Sequence, residues 1–239
     1  MQPIVPDRPV PAVTVVVPVH RNADTLARLH RRIVTALSDR PGGFEVIYVD
    51  DACPEQSGPV LDELAERDSR VRVIHLPDNV GQHRAILVGM GAATGSVVVS
   101  IDADLQDPPE AIPLLLARLD DGFDTVFAGR HGQYHESASR RLTSRFFKSV
   151  QSRVIGLPAD ASSYVALRRS VVDRLCAMPA GPQTMVAMIG FAGRSVTSVP
   201  VERAPRPVGT SAFSFRQRLS LAVGTLVWAA RMRLTGRPR

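Results

Sequence analysis

Four times between Val13 and Leu119, a short β-branched apolar run gives way to a segment whose apolar residues recur at helical spacing. Val13 to Val17 reads as a strand that stops at Pro18, and Leu26, Leu29, Ile33 and Leu37 then mark a helix up to the turn Pro41-Gly42-Gly43. Phe44 to Val49 is a second strand ending in Asp50 and Asp51, followed by a short helix carrying Pro59, Val60, Leu61 and Leu64. Val71 to Leu76 is a third, leading through Pro77-Asp78-Asn79 to a helix with Ala85, Ile86, Val88 and Gly89, which Gly95 ends. Val97, Val98, Val99 and Ile101 form the fourth, a run suited to burial on both faces. Strands that alternate with helices in this way predict an α/β protein: a Rossmann-like, doubly wound, mostly parallel sheet with helices on both faces.

Such sheets bind ligands beyond the carboxyl ends of their strands, and this chain places acids at two of them. Asp102 and Asp104 follow the fourth strand with one small residue between them, in Ser-Ile-Asp-Ala-Asp-Leu-Gln-Asp-Pro-Pro-Glu from Ser100 to Glu110. Paired carboxylates there can share a hard divalent cation with a diphosphate. An Asp-x-Asp alone also occurs in ordinary loops and caps, so the flanks and the second acidic end, Asp50-Asp51, carry the reading. Pro108 and Pro109 stop the strand, and Asp107 is expected to cap a helix from Pro109 to about Leu119. Gly89, Gly91 and Gly95 lie too late in a helix for a dinucleotide fingerprint and are read as packing positions, with Gly95 as a helix stop.

With 239 residues and 44% hydrophobic content the chain can bury one large core. A net charge of +6 invites a nucleic-acid reading, but the distribution argues against it. Arg140, Arg141, Arg145, Lys148 and Arg153 cluster where no acid lies between Glu136 and Asp160, and no acid follows Glu202. A basic rear half beside an acidic strand end suits a phosphorylated substrate or an anionic surface; the plain alternative is a solvated positive face. Cys53 and Cys176 are too few and too far apart for a disulfide framework, which points to a reducing compartment. Residues 1–12, rich in proline, read as a tail.

The segment Asn79-Val80-Gly81-Gln82-His83, then Ala85, Gly89, Ala93 and Gly95, then Asp102 to Glu110, resembles the family 2 glycosyltransferases of GT-A fold, and among them the polyprenyl-phosphate sugar transferases akin to dolichol-phosphate mannose synthase. The resemblance runs from about Val13 to Phe213 and implies a metal-dependent, inverting transfer of a sugar from a nucleoside-diphosphate sugar to polyprenyl phosphate. Pro18, His20, Asn22 and Asp51 would line the nucleotide pocket. Asp102, Ala103, Asp104 and Gln106 would lie by the sugar-nucleotide, with Asp102 and Asp104 holding Mg²⁺ or Mn²⁺. Arg130, after a strand from Asp124 to Gly129, would contact the donor, and a guanidinium there can stabilise the departing diphosphate. Asp160, before a strand from Tyr164 to Leu167, matches the acceptor-side aspartate: a general base for a hydroxyl, an orienting group for an anionic phosphate. Arg130 and Asp160 are the catalytic candidates. Arg203, Arg206 and Ser211 match the segment Arg-x-x-Arg-x-x-Gly-x-Ser, expected to close over phosphates.

Departures leave alternatives open. His20-Arg21-Asn22 stands where the family has Tyr-Asn-Glu, Ala212-Phe213 where it has Lys-Tyr, and Val165 where an arginine is frequent. A soluble hydroxyl acceptor, or a non-catalytic nucleotide-binding module, therefore stays in view. A nucleotidyltransferase is disfavoured, since no Gly-rich basic triphosphate loop follows the first strand. Leu219 to Ala230 is too short to span a bilayer; bracketed by Arg216, Arg218, Arg231 and Arg233, it is expected to lie on an anionic membrane, with Trp228 as an anchor, or to dock on protein. The expected location is cytoplasmic, peripheral to the cytoplasmic face of the membrane.

Overall fold

The computed structural model describes residues 10–131, 156–178 and 185–204, together with Gly224 and Trp228. Seven strands form one sheet: β1 (Val13–Val19), β2 (Phe44–Asp50), β3 (Val71–His75), β4 (Val97–Ser100), β5 (Thr125–His131), β6 (Val165–Arg168) and β7 (Val196–Glu202). Their order is β3-β2-β1-β4-β6-β5-β7. Every pairing is parallel except those of β6, which runs against both β4 and β5. The sheet winds outward from β1 in one direction and from β4 in the other, so the switch point lies between them, where crossover connections leave a crevice. Because β6 is reversed, the residues that precede it, not those that follow it, reach the carboxyl rim.

Helices α1 (Ala23–Leu37), α2 (Ser57–Arg67) and α4 (Ile112–Asp120) cover one face, and α3 (Gln82–Ala92), α5 (Arg169–Cys176) and α6 (Met185–Ala192) the other. Strand residues alternate between the two cores. Val15 and Val17 join Leu26, Leu29, Ile33, Leu115 and Leu116, whereas Val16, Val49 and Val98 join Ile86, Val171, Leu175 and Ile189. The apolar spacing of α1 explains its seat, since Leu26, Leu29, Ile33 and Leu37 are all buried.

Several expectations shift in detail. β1 does not stop at Pro18 but continues to Val19, with Pro18 opposite Val49. Val16 bonds toward β4 through its carbonyl, so Pro18, two residues on, also faces that side, beyond the last paired residue of β4, Ser100. No partner there requires the amide hydrogen that proline lacks. The helix expected from Pro109 begins as a 3-10 turn at Pro109–Ala111 and becomes α-helical at Ile112. The residues at the N-caps of these two turns, Pro108 and Ala111, make no side-chain cap bond, and Asp107 pairs with Arg203. Gly89 is a packing position as expected: an added Cβ would stand 2.4 Å from Val16 Cγ1 and 2.9 Å from Val49 Cγ2. Gly95 is not the helix stop, because α3 ends at Ala92; it is small because a Cβ would lie 2.7 Å from the Thr14 amide nitrogen.

Ala12, placed in the expected tail, already donates its N–H to the Gly42 carbonyl at 3.0 Å. Trp228 does not behave as a lipid anchor. It is buried in the second core, edge-on to Phe191 with ring centroids 5.1 Å apart. The reason is local: α6, Met-Val-Ala-Met-Ile-Gly-Phe-Ala, is apolar on every side and needs cover beyond the sheet. Apart from Gly224, the remainder of Leu219 to Ala230, and the basic cluster from Arg140 to Arg153, lie outside the described residues. Among the described residues no helix is long and apolar enough to cross a membrane.

Candidate active site

The carboxyl rim gathers the loops after β1, β2, β3, β4 and β7 with the segment before β6. Backbone strain collects in the same place. Arg21, Ala52 and Leu105, none of them glycine, adopt left-handed φ angles of 60°, 48° and 61° just beyond β1, β2 and β4. Such conformations persist where surrounding contacts over-determine them, often around ligands.

Asp51 is buried, and its two oxygens accept the N–H groups of Val80 at 2.7 Å and Gly81 at 2.9 Å. It thus holds the β3–α3 loop closed over the end of β2. His20 stands 3.3 Å from the Asp51 carbonyl oxygen and 3.1 Å from Asn79 Nδ2, so it joins the same wall. Asn22 precedes α1 without making a side-chain cap bond, and Pro18 lies one turn of the strand pleat below. The Arg21 N–H points at the Cys53 sulfur, 3.1 Å away, and ties the β1 and β2 loops together. Asp50 receives the Cys53 N–H and His75 Nδ1, each at 3.0 Å; Asp50 first, and Asp62 on the ring's other side, hold the His75 pKa above its ordinary value.

The loop after β4 turns back on itself at Leu105, so Asp102, Asp104 and Asp107 crowd together. Asp102 accepts from Gln82 Nε2 at 2.7 Å and from the Ser163 hydroxyl at 3.1 Å, with Arg203 Nη2 at 3.8 Å. Burial, then the negative charges of Asp107 and Asp104, push its carboxyl up to about 6, against the opposing pull of Arg203 and Ser163. Asp104 accepts the Gln106 N–H at 3.1 Å. Ala103 is buried, and its carbonyl takes the Thr25 hydroxyl at 2.7 Å, which pins the loop to the first turn of α1.

These residues fit a divalent cation on the chemistry of their donors. A carboxylate whose ionised form is disfavoured by its acidic neighbours is relieved by a nearby positive ion, and oxygen donors suit Mg²⁺ or Mn²⁺. Among the described residues no three His, Cys, Asp or Glu side chains form a cage. Asp102 and Asp104 therefore suit an ion that completes its shell with water and a diphosphate.

Asp160 and Ser163 arrive from the segment before β6. Asp160 is half-buried, accepts the Ser198 hydroxyl of β7 at 3.2 Å, and lies flat against Gly129 of β5, where any Cβ would overlap its carboxylate. Arg130 follows Gly129, opposite Val201 of β7. Arg203, expected on phosphate, engages Asp107: Nη2 donates to Oδ2 at 2.7 Å, and Nε makes an ion contact with Oδ1 at 2.5 Å. Asp107 is thus a salt-bridge partner of β7's end. Arg206 and Ser211 lie outside the described residues. Gln82, Ser163, Ser198 and Thr25 were not assigned roles from the sequence; each reaches its partner across at least 20 residues of chain, so spacing alone gave no signal.

A doubly wound sheet with one reversed strand and a carboxylate turn at its switch point is the GT-A architecture. A mannosyltransferase from Pyrobaculum calidifontis, solved with GDP-Man and Mn²⁺, superposes with a TM-score of 0.65 over 92% of this chain and 64% of that one, at 18% identity. Glucosyl-3-phosphoglycerate synthase from Mycobacterium tuberculosis gives 0.66 over 92% and 80%, at 19% identity. The model of glycosyl transferase family 2 matches residues 14–176, and the chain belongs to that family. The chain is also 31% identical over 216 residues to an undecaprenyl-phosphate 4-deoxy-4-formamido-L-arabinose transferase of Salmonella choleraesuis. That match covers 89% of this chain and 66% of the relative, slightly under two thirds of its length.

Proposed function

We propose that the chain transfers a sugar from a nucleoside-diphosphate sugar to polyprenyl phosphate with inversion at the anomeric carbon, in the presence of Mg²⁺ or Mn²⁺. The observation that carries this is the strained Asp102–Asp107 turn at the switch point, with the undecaprenyl-phosphate relative supporting the acceptor class. The base lies against the wall of His20, Asp51 and Asn79. Asp102 and Asp104 would hold the cation, which supplies positive charge to the diphosphate as it leaves. An acceptor phosphate oxygen attacks C1 from the opposite face. The new C1–O bond forms as the old one breaks, and the electron pair leaves with the nucleoside diphosphate, whose charge Arg130 offsets. An anionic acceptor needs no base, so Asp160 orients it. The polar donor and lipid-linked acceptor would meet at the cytoplasmic face of the membrane.

A second reading, transfer to a soluble hydroxyl, is favoured by Asp160 itself, a half-buried carboxylate at the rim that accepts the Ser198 hydroxyl, the residue type a general base requires. The test incubates the purified full chain with radiolabelled UDP-, GDP- and dTDP-sugars, nucleotide-linked 4-deoxy-4-formamido-L-arabinose, undecaprenyl phosphate and Mn²⁺. Label is expected in the solvent-extracted lipid, and is lost in Asp104→Asn although that variant stays folded. Label found only on a soluble hydroxyl compound would replace the lipid acceptor with the second reading, and unchanged turnover in Asp104→Asn would remove the metal assignment.

A further inference from the structure

The contact between Asp107 and Arg203 has no part in the chemistry above, yet both side chains are among the most enclosed charges of the rim, 3% and 8% exposed. An ion pair removed from water to that degree carries a large desolvation cost, which its own attraction only partly offsets. Its surroundings show what it acts on. Arg203 lies 3.8 Å from Asp102, and the charges of Asp107, Asp102 and Asp104 all act on it. One residue further, the Ala204 N–H donates to the Gln106 carbonyl at 3.0 Å, so the end of β7 is zipped to the same turn by main chain and side chain together.

We propose that Asp107 and Arg203 are a positioning pair that sets the charge, and with it the cation affinity, of the Asp102–Asp104 turn. The inference rests on the metal-dependent reading above. Among the described residues the turn carries three carboxylates, Asp102, Asp104 and Asp107, and one guanidinium, Arg203, a formal charge of −2 with all four ionised. Asp107 holds the guanidinium through the Nη2–Oδ2 hydrogen bond and the Nε–Oδ1 ion contact, so that it steadies the turn without competing for the ion. The chain then runs on from Ala204 toward Arg206 and Ser211, so the acceptor-side segment starts from an anchor on the donor turn.

The charge argument separates this from plain structural support. Asp107→Asn leaves the guanidinium unneutralised beside Asp102, reduces the formal charge to −1, and is expected to weaken Mn²⁺ binding by on the order of tenfold or more. Arg203→Gln does not weaken it, because it removes the repelling cation. The double variant Asp107→Asn with Arg203→Gln restores the formal −2 and recovers most of the loss.

Mn²⁺ binding to the full chain is measured by titration calorimetry and by the free-Mn²⁺ electron paramagnetic resonance signal, without donor, alongside thermal melting of each variant. Asp107→Glu, which keeps the charge, is expected to bind Mn²⁺ nearer to wild type than Asp107→Asn does, and guards against a folding defect. A double variant that binds no better than Asp107→Asn, or two single variants weakened alike, overturns the pair as a charge device while leaving the metal reading intact. Wild-type protein that binds no Mn²⁺ alone or with a nucleoside-diphosphate sugar overturns the metal reading itself, and the inference with it.

Discussion

Replacing Gly129 by alanine tests whether Asp160 acts from the place that β5 gives it. An alanine Cβ would overlap Asp160 Oδ2, the nearest atom, and stand 2.7 Å from its Cγ, with the Val199 carbonyl, at 3.3 Å, the nearest backbone atom. Ordinary carbon contacts begin near 3.5 Å, so the carboxylate must retreat by at least about 1 Å. The strand has little reason to move, because the obstructing group is the end of a half-buried side chain. The retreat takes Asp160 out of reach of the Ser198 hydroxyl, now 3.2 Å away, at about 1 kcal/mol of stability. A misplacement of about 1 Å at a group that orients the acceptor is expected to lower the transfer rate by about 100-fold. The assay is radiolabel passing from nucleotide sugar into extractable lipid, with thermal melting measured in parallel. Ser198→Ala is the companion variant: it removes the hydrogen bond without pushing the carboxylate, and should lose activity much less. Gly129→Ala protein that folds and transfers at the wild-type rate would refute the role given to Asp160.

Asp102→Asn should abolish transfer yet stabilise the metal-free protein by on the order of 2 kcal/mol at pH 7.5. The folded pKa of about 6 lies above the ordinary 3.8, so the fold penalises the ionised form; the gain should fade as pH drops from about 6 toward 3.8, read by melting in chelator. A destabilised Asp102→Asn at pH 7.5 would contradict the shift. Asp68→Asn should do the reverse. Arg70 first, and also His30, hold the Asp68 carboxyl well below 3.8, so its contribution, on the order of 1–2 kcal/mol, is present at neutral pH and disappears as pH falls through and below that value. Equal loss at pH 3 and pH 7 in urea unfolding would show that the pair acts by packing and not by charge.

What was legible in the sequence was local. Val97 to Val99, the α1 stripe from Leu26 to Leu37, and the Asp102–Asp104 spacing each carry their meaning within a few residues, and the fold class followed from their repetition. Pro18 misled because proline ends a strand only where its missing hydrogen is needed, and that depends on where β4 stops. Asp107 before Pro-Pro reads as a helix cap, and its pairing with Arg203, 96 residues away, leaves no mark in the local sequence. Asp51 was placed correctly at the rim, but that both its oxygens hold Val80 and Gly81 depends on the closure of a loop. The reversal of β6 left no trace in the local pattern, since Val165 to Leu167 reads alike in either direction.

That reversal divides the molecule along a seam. Among the described residues, those up to Asp107 carry the nucleotide and cation candidates Pro18, His20, Asp51, Asp102 and Asp104, and those from β5 onward carry Asp160 and Arg203; the two meet along the β4–β6 ladder and through polar links that include Ser163 to Asp102, Arg203 to Asp107 and Ala204 to Gln106. A seam of that kind is a natural crossing point for recombination. The acceptor half of a related chain could be grafted after α4 and inherit a working donor half, provided the newcomer brings a hydroxyl for Asp102 and a cation for Asp107. New acceptors would then be within reach of exchange between whole halves, with the nucleotide side carried along untouched.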